Sequence, residues 1–348
     1  MNTTGKTPTG GRLGRRVASV VAVLAMVVAA AGCSDTDNDD SNGNGNTGNT
    51  GNSAGAPPVG RFASPNPGSV NTYWISAPQG LVVIDTLRTL TDARRAVEEI
   101  RRSGQPVAAI LLTHSHPDHV GGAGVFHEAF PQAPVYASVT TDKIMREDPR
   151  GFYPLTRTVP GHDFPDQLTY ATRTFQAGEA VDVAGLRLET AEFAAGESDS
   201  ATVFHDPAAK SLYAGDLVGN KVTPALLEGH SCGWLANLAL LRERFPDVRT
   251  AYPGHGEPAE AVGMFGEQRG YIQDFRRLVG AAIAPASPEG TAVGDGERAS
   301  ILAAMEQKYP GYPPVASLPT IADENVKAVA AELAAENPAV LPAACATP

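Results

Sequence analysis

Four side chains able to bind a metal fall within six positions: His114, His116, Asp118 and His119, in the run His114-Ser115-His116-Pro117-Asp118-His119. Neutral imidazole and carboxylate are the donors that a borderline divalent cation such as zinc accepts. The run follows directly on the apolar stretch 107–112, which reads as a strand buried on both faces. Alternate residues at the end of an extended segment point the same way. His114 and His116 can therefore address one metal, while Asp118 and His119, on the turn beyond, address a second. Isolated His-x-His pairs are common on solvated loops. Three histidines and an aspartate at this density, straight after a buried strand, point to a metal site instead.

The surrounding elements must deliver these groups. Residues 70–75 and 81–85 read as a β-hairpin around Pro78-Gln79-Gly80. Leu90, Ala93, Val97 and Ile100 fall at helical spacing, with Thr91 as the predicted N-cap and Gly104 just past the end. A helix over 123–130 and a strand over 134–137 continue the alternation. Beyond Phe175 the pattern turns to hairpins, 180–183 with 186–189 and 201–204 with 211–214, the latter pair joined by Asp206-Pro207-Ala208-Ala209. Helices return over 234–244 and 270–279. This mixture predicts a layered α/β sandwich rather than a doubly wound sheet. No Gly-rich phosphate loop follows the first strand, which removes the main nucleotide-binding reading.

The N-terminus follows different rules. Arg12, Arg15 and Arg16 precede an apolar run over 17–31, which has the length and basic flank of a signal-peptide core. The run ends in Ala30-Ala31-Gly32-Cys33, which resembles the bacterial lipoprotein cleavage box, with Ala30 where leucine is usual. The predicted organisation is a signal peptide over 1–32, a lipidated Cys33 with a flexible linker over 33–58, a catalytic domain over 59–280 and a helical C-terminal extension over 281–348. The linker is rich in Asn, Gly, Asp, Ser and Thr, too polar to offset its ordering entropy, and spans on the order of 25–30 Å. An ordinary secretory signal cut nearby, giving a secreted protein, is the alternative. Residues 1–32 hold four of the 27 bases and none of the 38 acids, so the remainder carries a net charge of −15. That argues against nucleic-acid binding, which needs basic surface, and leaves an acyl chain as the membrane tether of an extracytoplasmic protein. Cys232 and Cys345 remain after Cys33; their pairing depends on geometry that sequence does not supply.

His-x-His-x-Asp-His is also the signature of the metallo-β-lactamase superfamily, and further residues resemble its landmarks in order. Asp85, closing the strand Val82-Val83-Ile84, resembles the family's buried aspartate that supports the metal loop. Leu212-Tyr213-Ala214-Gly215-Asp216 resembles the strand ending in the bridging aspartate. Ala251-Tyr252-Pro253-Gly254-His255-Gly256 resembles the loop carrying the last metal histidine. The resemblance implies a four-layered αβ/βα sandwich with two divalent metals at the sheet edge, zinc first, with iron or manganese as alternatives. It also implies a small-molecule substrate.

One landmark departs from the family. Where a Gly-His-Thr-x-Gly-like loop is usual, this chain has Gly196-Glu197-Ser198-Asp199-Ser200, so Glu197 stands at the place of a ligand histidine. The alkylsulfatase branch of the superfamily uses glutamate there. His205 and His162 are rival donors. The implied ligand sets are His114, His116 and Glu197 for one metal and Asp118, His119 and His255 for the other, with Asp216 between. The implied reaction is hydrolysis of an ester, thioester, lactone or related substrate by a metal-bridged hydroxide, with Asp118 orienting the nucleophile. A mononuclear iron sulfur dioxygenase of the same fold, or a non-catalytic envelope lipoprotein, is the alternative. His127 reads as structural, His230 as a pocket residue or a helix cap, and Tyr309 and Tyr312 as a C-terminal lid or a surface turn.

Overall fold

The computed structural model describes residues 58–159, 162–283 and 293–345; the signal peptide, Cys33 and nearly all of the linker lie outside them. Strands β1 (Val59–Ala63), β2 (Asn71–Ala77), β3 (Gly80–Ile84), β4 (Val107–Leu111), β5 (Val135–Ser138) and β6 (Arg173–Phe175) form one sheet in chain order. β1, β2 and β3 pair antiparallel, and β3 to β6 pair parallel. The second sheet has the order β12-β11-β10-β9-β8-β7, built from β7 (Val181–Val183), β8 (Leu186–Ala194), β9 (Ser200–Asp206), β10 (Ser211–Gly219), β11 (Thr250–His255) and β12 (Ala259–Glu260).

Side-chain alternation along β3 sets the layers. Val82 and Ile84 point inward and meet Leu188, Phe204 and Tyr213 of the second sheet. Leu81 and Val83 point outward, into a cluster with Ala93, Val97 and Ile100 of α1 (Leu90–Arg102) and Phe126 of α3 (Ala123–Ala129). Across the molecule, Leu212 and Ala214 of β10 pack under Trp234 and Leu238 of α6 (Ser231–Arg244) and Phe275 of α7 (Ala261–Ala282). Helix, sheet, sheet, helix is the expected four-layered αβ/βα sandwich. The C-terminal helices α8 (Asp295–Lys308) and α9 (Ile321–Ala335) add Met305 and Val329 to that same outer core. A disulfide between Cys232 and Cys345 (Cα–Cα 5.2 Å) ties the chain end to the first turn of α6. No described helix is long and apolar enough to cross a membrane.

Several boundaries differ from expectation. Thr89, not Thr91, caps α1: its backbone is extended (φ −93°, ψ 145°) and its hydroxyl accepts from the Asp92 N–H at 3.0 Å. The Thr91 N–H instead donates to Asp163. α7 starts nine residues before the predicted 270, because Gly263, Gly266 and Gly270 mask its apolar period while Glu260 caps it through Val262 and Gly263. Helices α4 (Val139–Glu147) and α5 (Phe152–Thr158) were not legible. α4 opens on Val139, Thr140 and Thr141, β-branched residues that read as strand, and is started by the Ser138 hydroxyl accepting from Thr141.

Candidate metal centre

β4 ends at Leu111 and releases the chain through Thr113 into the His114 loop, whose continuation is the short helix α2 (Pro117–Val120). Asp85, at the end of β3 in a left-handed conformation (φ 59°), holds that loop. Its carboxylate accepts from the Thr113 N–H and hydroxyl and from His119 Nδ1, each at 2.8 Å. From the other sheet, β10 brings Asp216 past β11 at a register shift. Gly254 permits this approach, since a Cβ there would stand 1.8 Å from Asp216 Oδ1.

Two groups converge at the common edge of the sheets. His114, His116, Glu197 and Asp216 form one; Asp118, His119, Asp216 and His255 form the other, the donor atoms of each lying within 4.8 Å of one another. Glu197 lies 3.0 Å from His116 Nδ1 and 3.6 Å from His114 Nε2. Asp216 lies 3.1 Å from both His119 Nε2 and His255 Nε2, and Asp118 lies 3.3 Å from His255 Nε2. All seven residues named from the sequence meet here. The rival donors do not: His205 pairs with Glu189 at 3.0 Å and packs on Phe245, and His162 lines the cavity without joining either group.

Each imidazole has one nitrogen tied to protein and the other aimed at the centre. His114 Nδ1 meets the Thr113 hydroxyl at 3.0 Å, His119 Nδ1 meets Asp85, and His255 Nδ1 meets the Gly68 carbonyl at 2.8 Å. His116 is turned the other way, with Nε2 on Glu228 at 2.9 Å and Nδ1 inward. Such outer partners fix tautomer and ring orientation. The inward atoms His114 Nε2, His119 Nε2, His255 Nε2, Glu197 Oε2 and Asp216 Oδ1 are buried and make no aligned hydrogen bond. Buried polar atoms without partners are costly, and five converging on two points fit a pair of divalent cations.

The electrostatics are those of a buried charge cluster. Burial, with the charge of Asp216 behind it, pushes Glu197 up to about 7 despite His116. Burial and then the neighbouring His119 and His116 hold His114 well below the ordinary imidazole range. For His116, His119 and His255 burial pulls downward but the carboxylates win. Glu197 raises His116, Asp216 raises His119, and Asp216 with Asp118 takes His255 up to about 10. Burial opposes ionisation of Asp118 and Asp216, yet the facing histidines hold both well below the carboxylate range.

Glu228, Arg150 and Gly68 carried no sequence signal. Arg150 Nε lies 2.9 Å from Glu228, and its guanidinium also donates to Asp199. Asp199, Glu228 and His230 converge as ligands would, but the arginine already supplies the cation among them. His230 stands at the N-cap position of α6, its carbonyl accepting from the Trp234 N–H at 2.9 Å, but its side chain makes no cap. That side chain contacts Arg150 at 3.2 Å and does not line the cavity. His127 lies on α3, outside both groups. Tyr309 and Tyr312 pack on Tyr271, making more than a surface turn. A cavity of ≈ 450 Å³ opens over the cluster, lined by Asp118, Glu197, Asp216 and His255 at its base.

The sequence matches the metallo-beta-lactamase superfamily over residues 65–255, more than half of its length, and the chain belongs to that superfamily. It is 28% identical over 163 residues to a hydroxyacylglutathione hydrolase from Synechococcus sp. (strain JA-2-3B'a(2-13)), covering 47% of this chain and 55% of the relative. A linear primary-alkylsulfatase from Pseudomonas sp. (strain ATCC 19151) is 42% identical over 53 residues, 15% of this chain and 10% of that protein. The chain thus spans about half or less of the length of the curated relatives it matches. A metallo-beta-lactamase family protein from Thermus thermophilus shares the fold, with a TM-score of 0.55 at 23% identity over 79% of this chain and 92% of that one.

Proposed function

We propose that this chain is a metal-dependent hydrolase of esters, thioesters, lactones or related small substrates. The observation that carries the reading is the ring of buried, unpartnered imidazole and carboxylate atoms at the base of an open cavity. The hydroxyacylglutathione hydrolases and alkylsulfatases among its relatives support hydrolysis. His114, His116 and Glu197 would hold one divalent cation, Asp118, His119 and His255 the other, and Asp216 would reach both. Nitrogen and oxygen donors favour zinc, with iron or manganese as alternatives. Cations bound there supply Lewis acidity and an acidified water.

The chain's own residues do the rest. Asp118, kept ionised beside His255, lines the cavity and can take a hydrogen bond from the attacking water and pass its proton to the leaving group. Asp85, Thr113, Glu228 and Gly68 hold the four rings so that their lone pairs face inward. Glu197 adds an anion where the family usually has a neutral ring, which makes the centre less electron-poor.

The test is initial rates on esters, thioesters, lactones, β-lactams and alkyl sulfates, with metal content measured on protein purified without added metal. Asp118→Ala is expected to lose about 10²–10⁴-fold on any substrate that reacts. Equal rates for wild type and variant on every such substrate refute the reading. A single iron with oxygen uptake would favour the sulfur dioxygenase instead.

We propose further that Cys33 tethers the mature protein outside the cytoplasm. The lipobox-like run supports this, as does the Cys232–Cys345 disulfide, a bond that persists in oxidising compartments. A labelled fatty acid should mark wild type and not Cys33→Ala; equal labelling of both, or none, rejects the anchor.

A further inference from the structure

We infer that the cavity takes an apolar alkyl or acyl chain carried next to the scissile bond, and that the C-terminal segment 313–321 forms one wall of that subsite. This rests on the hydrolase reading above and names its substrate class.

The cavity has a charged base and apolar sides. On one side α5 presents Phe152 and Leu155, joined by Val159 just past its end and by Phe164. On the other stand Val315, Leu318 and Ile321, from a part of the chain beyond the residues that match the superfamily. Its volume of ≈ 450 Å³ lies within the range of small-molecule sites, about 300–1,000 Å³. Arg88, the arginine lining the cavity, donates to the Ala316 carbonyl at 3.0 Å, and Asp163 accepts from the Thr91 N–H. Arg88 and Asp163 are thus engaged by backbone, as are the Thr156 and Ser317 hydroxyls, while His162, Thr320 and Glu324 leave polar edges; most of the surface offered to a ligand is hydrocarbon.

One wall is fastened to the metal loop and the other to the residues that hold His255. Asp148 accepts from the N–H groups of Phe152 and Tyr153, starting α5, and the Tyr153 hydroxyl donates to the Ser115 carbonyl at 2.6 Å. Opposite, Ala316 (φ 53°) and Ser317 (φ 55°) are consecutive left-handed residues that are not glycine. Such backbone is costly and persists only where surroundings hold it. Here the Ala316 N–H donates to the Gly68 carbonyl at 2.8 Å and the Ser317 hydroxyl donates to the Pro67 carbonyl at 3.1 Å. Gly68 itself must lack a side chain, since a Cβ would stand 2.0 Å from the Pro314 carbonyl. The same Gly68 oxygen orients His255. One carbonyl thus fixes a ring of the metal centre and the wall over it.

A chain buried against these walls gains roughly fourfold in affinity per methylene. The experiment measures kcat/KM for p-nitrophenyl esters from acetate to decanoate and for n-alkyl sulfates of matched length, and binding of n-octanol and n-butanol by calorimetry. In wild type kcat/KM should climb by about twofold to fourfold per methylene with the head group that reacts, and octanol should bind about 100-fold more tightly than butanol. Leu318→Ser and Leu155→Ser, tested separately, should each flatten the slope and weaken octanol at least tenfold. Hydrolysis of acetate with no dependence on chain length, together with equal binding of the two alcohols, overturns the subsite and leaves the hydrolase reading standing. Absence of any hydrolysis with chain-selective alcohol binding refutes the hydrolase reading and keeps the apolar subsite.

Discussion

Replacing Asp85 with asparagine separates charge from shape at the support of the metal loop. Asparagine tolerates the left-handed backbone at this position, φ 59°, so the change need not strain the chain. Three donors meet the carboxylate: the Thr113 N–H, the Thr113 hydroxyl and His119 Nδ1. The amide oxygen can keep the backbone contact, and the hydroxyl can turn to accept from the new NH₂ group. The His119 Nδ1–H then faces a donor, and all these groups are buried. Losing one charge-assisted hydrogen bond to a buried ring costs about 1.5–3 kcal/mol. In urea unfolding of the metal-free protein, Asp85→Asn should lose about 2 kcal/mol with an unchanged m-value. In a competition titration with a chromophoric chelator, the metal held by His119 should weaken about 10–100-fold while the other stays close to wild type. Asp85→Ala, which leaves the buried Thr113 N–H without its acceptor as well, should be worse on both measures. If Asp85→Asn matches wild type in stability and in both affinities, the carboxylate does not orient His119 and the reasoning fails.

Glu197, raised to about 7 from an ordinary 4.5, binds a proton more tightly in the folded than in the unfolded metal-free chain. Its contribution to stability is therefore full below pH 4.5 and lost as pH rises through 7. Metal uptake needs the Glu197 carboxylate and a neutral His116, itself raised well above the ordinary imidazole range, so affinity at the His114/His116 position should rise with pH through 7; an affinity flat from pH 5 to 8 contradicts this. The Cys232–Cys345 bond closes a loop with a sequence separation of 113, for which the chain-entropy model gives up to about 5 kcal/mol. Reduction, or Cys345→Ser, should lower the melting temperature by several degrees in a calorimetric scan; an unchanged melting temperature would show that the bond adds nothing to stability.

Sequence alone carried what depends on spacing along the chain. The run of four ligand types after 107–112, the Leu90/Ala93/Val97/Ile100 period of α1 and the hairpin joined by Asp206–Ala209 follow from local periodicity and were enough for the layered fold. Asp85, Glu197, Asp216 and His255 stand out because they follow the order of the superfamily's landmarks, and with the run they make the seven converging residues and their support. Where two local signals compete, as between Thr89 and Thr91 or across the glycines of α7, composition cannot choose, because a cap is decided by backbone angles set by what the helix packs on. The partners of the rings were beyond reach for a different reason. Glu228 reaches His116, and Gly68 reaches His255, across 112 and 187 positions. Only the order and register of two sheets decide which loops share an edge, and only that shared edge brings the segment 313–321 over a centre built from β4, β10 and β11.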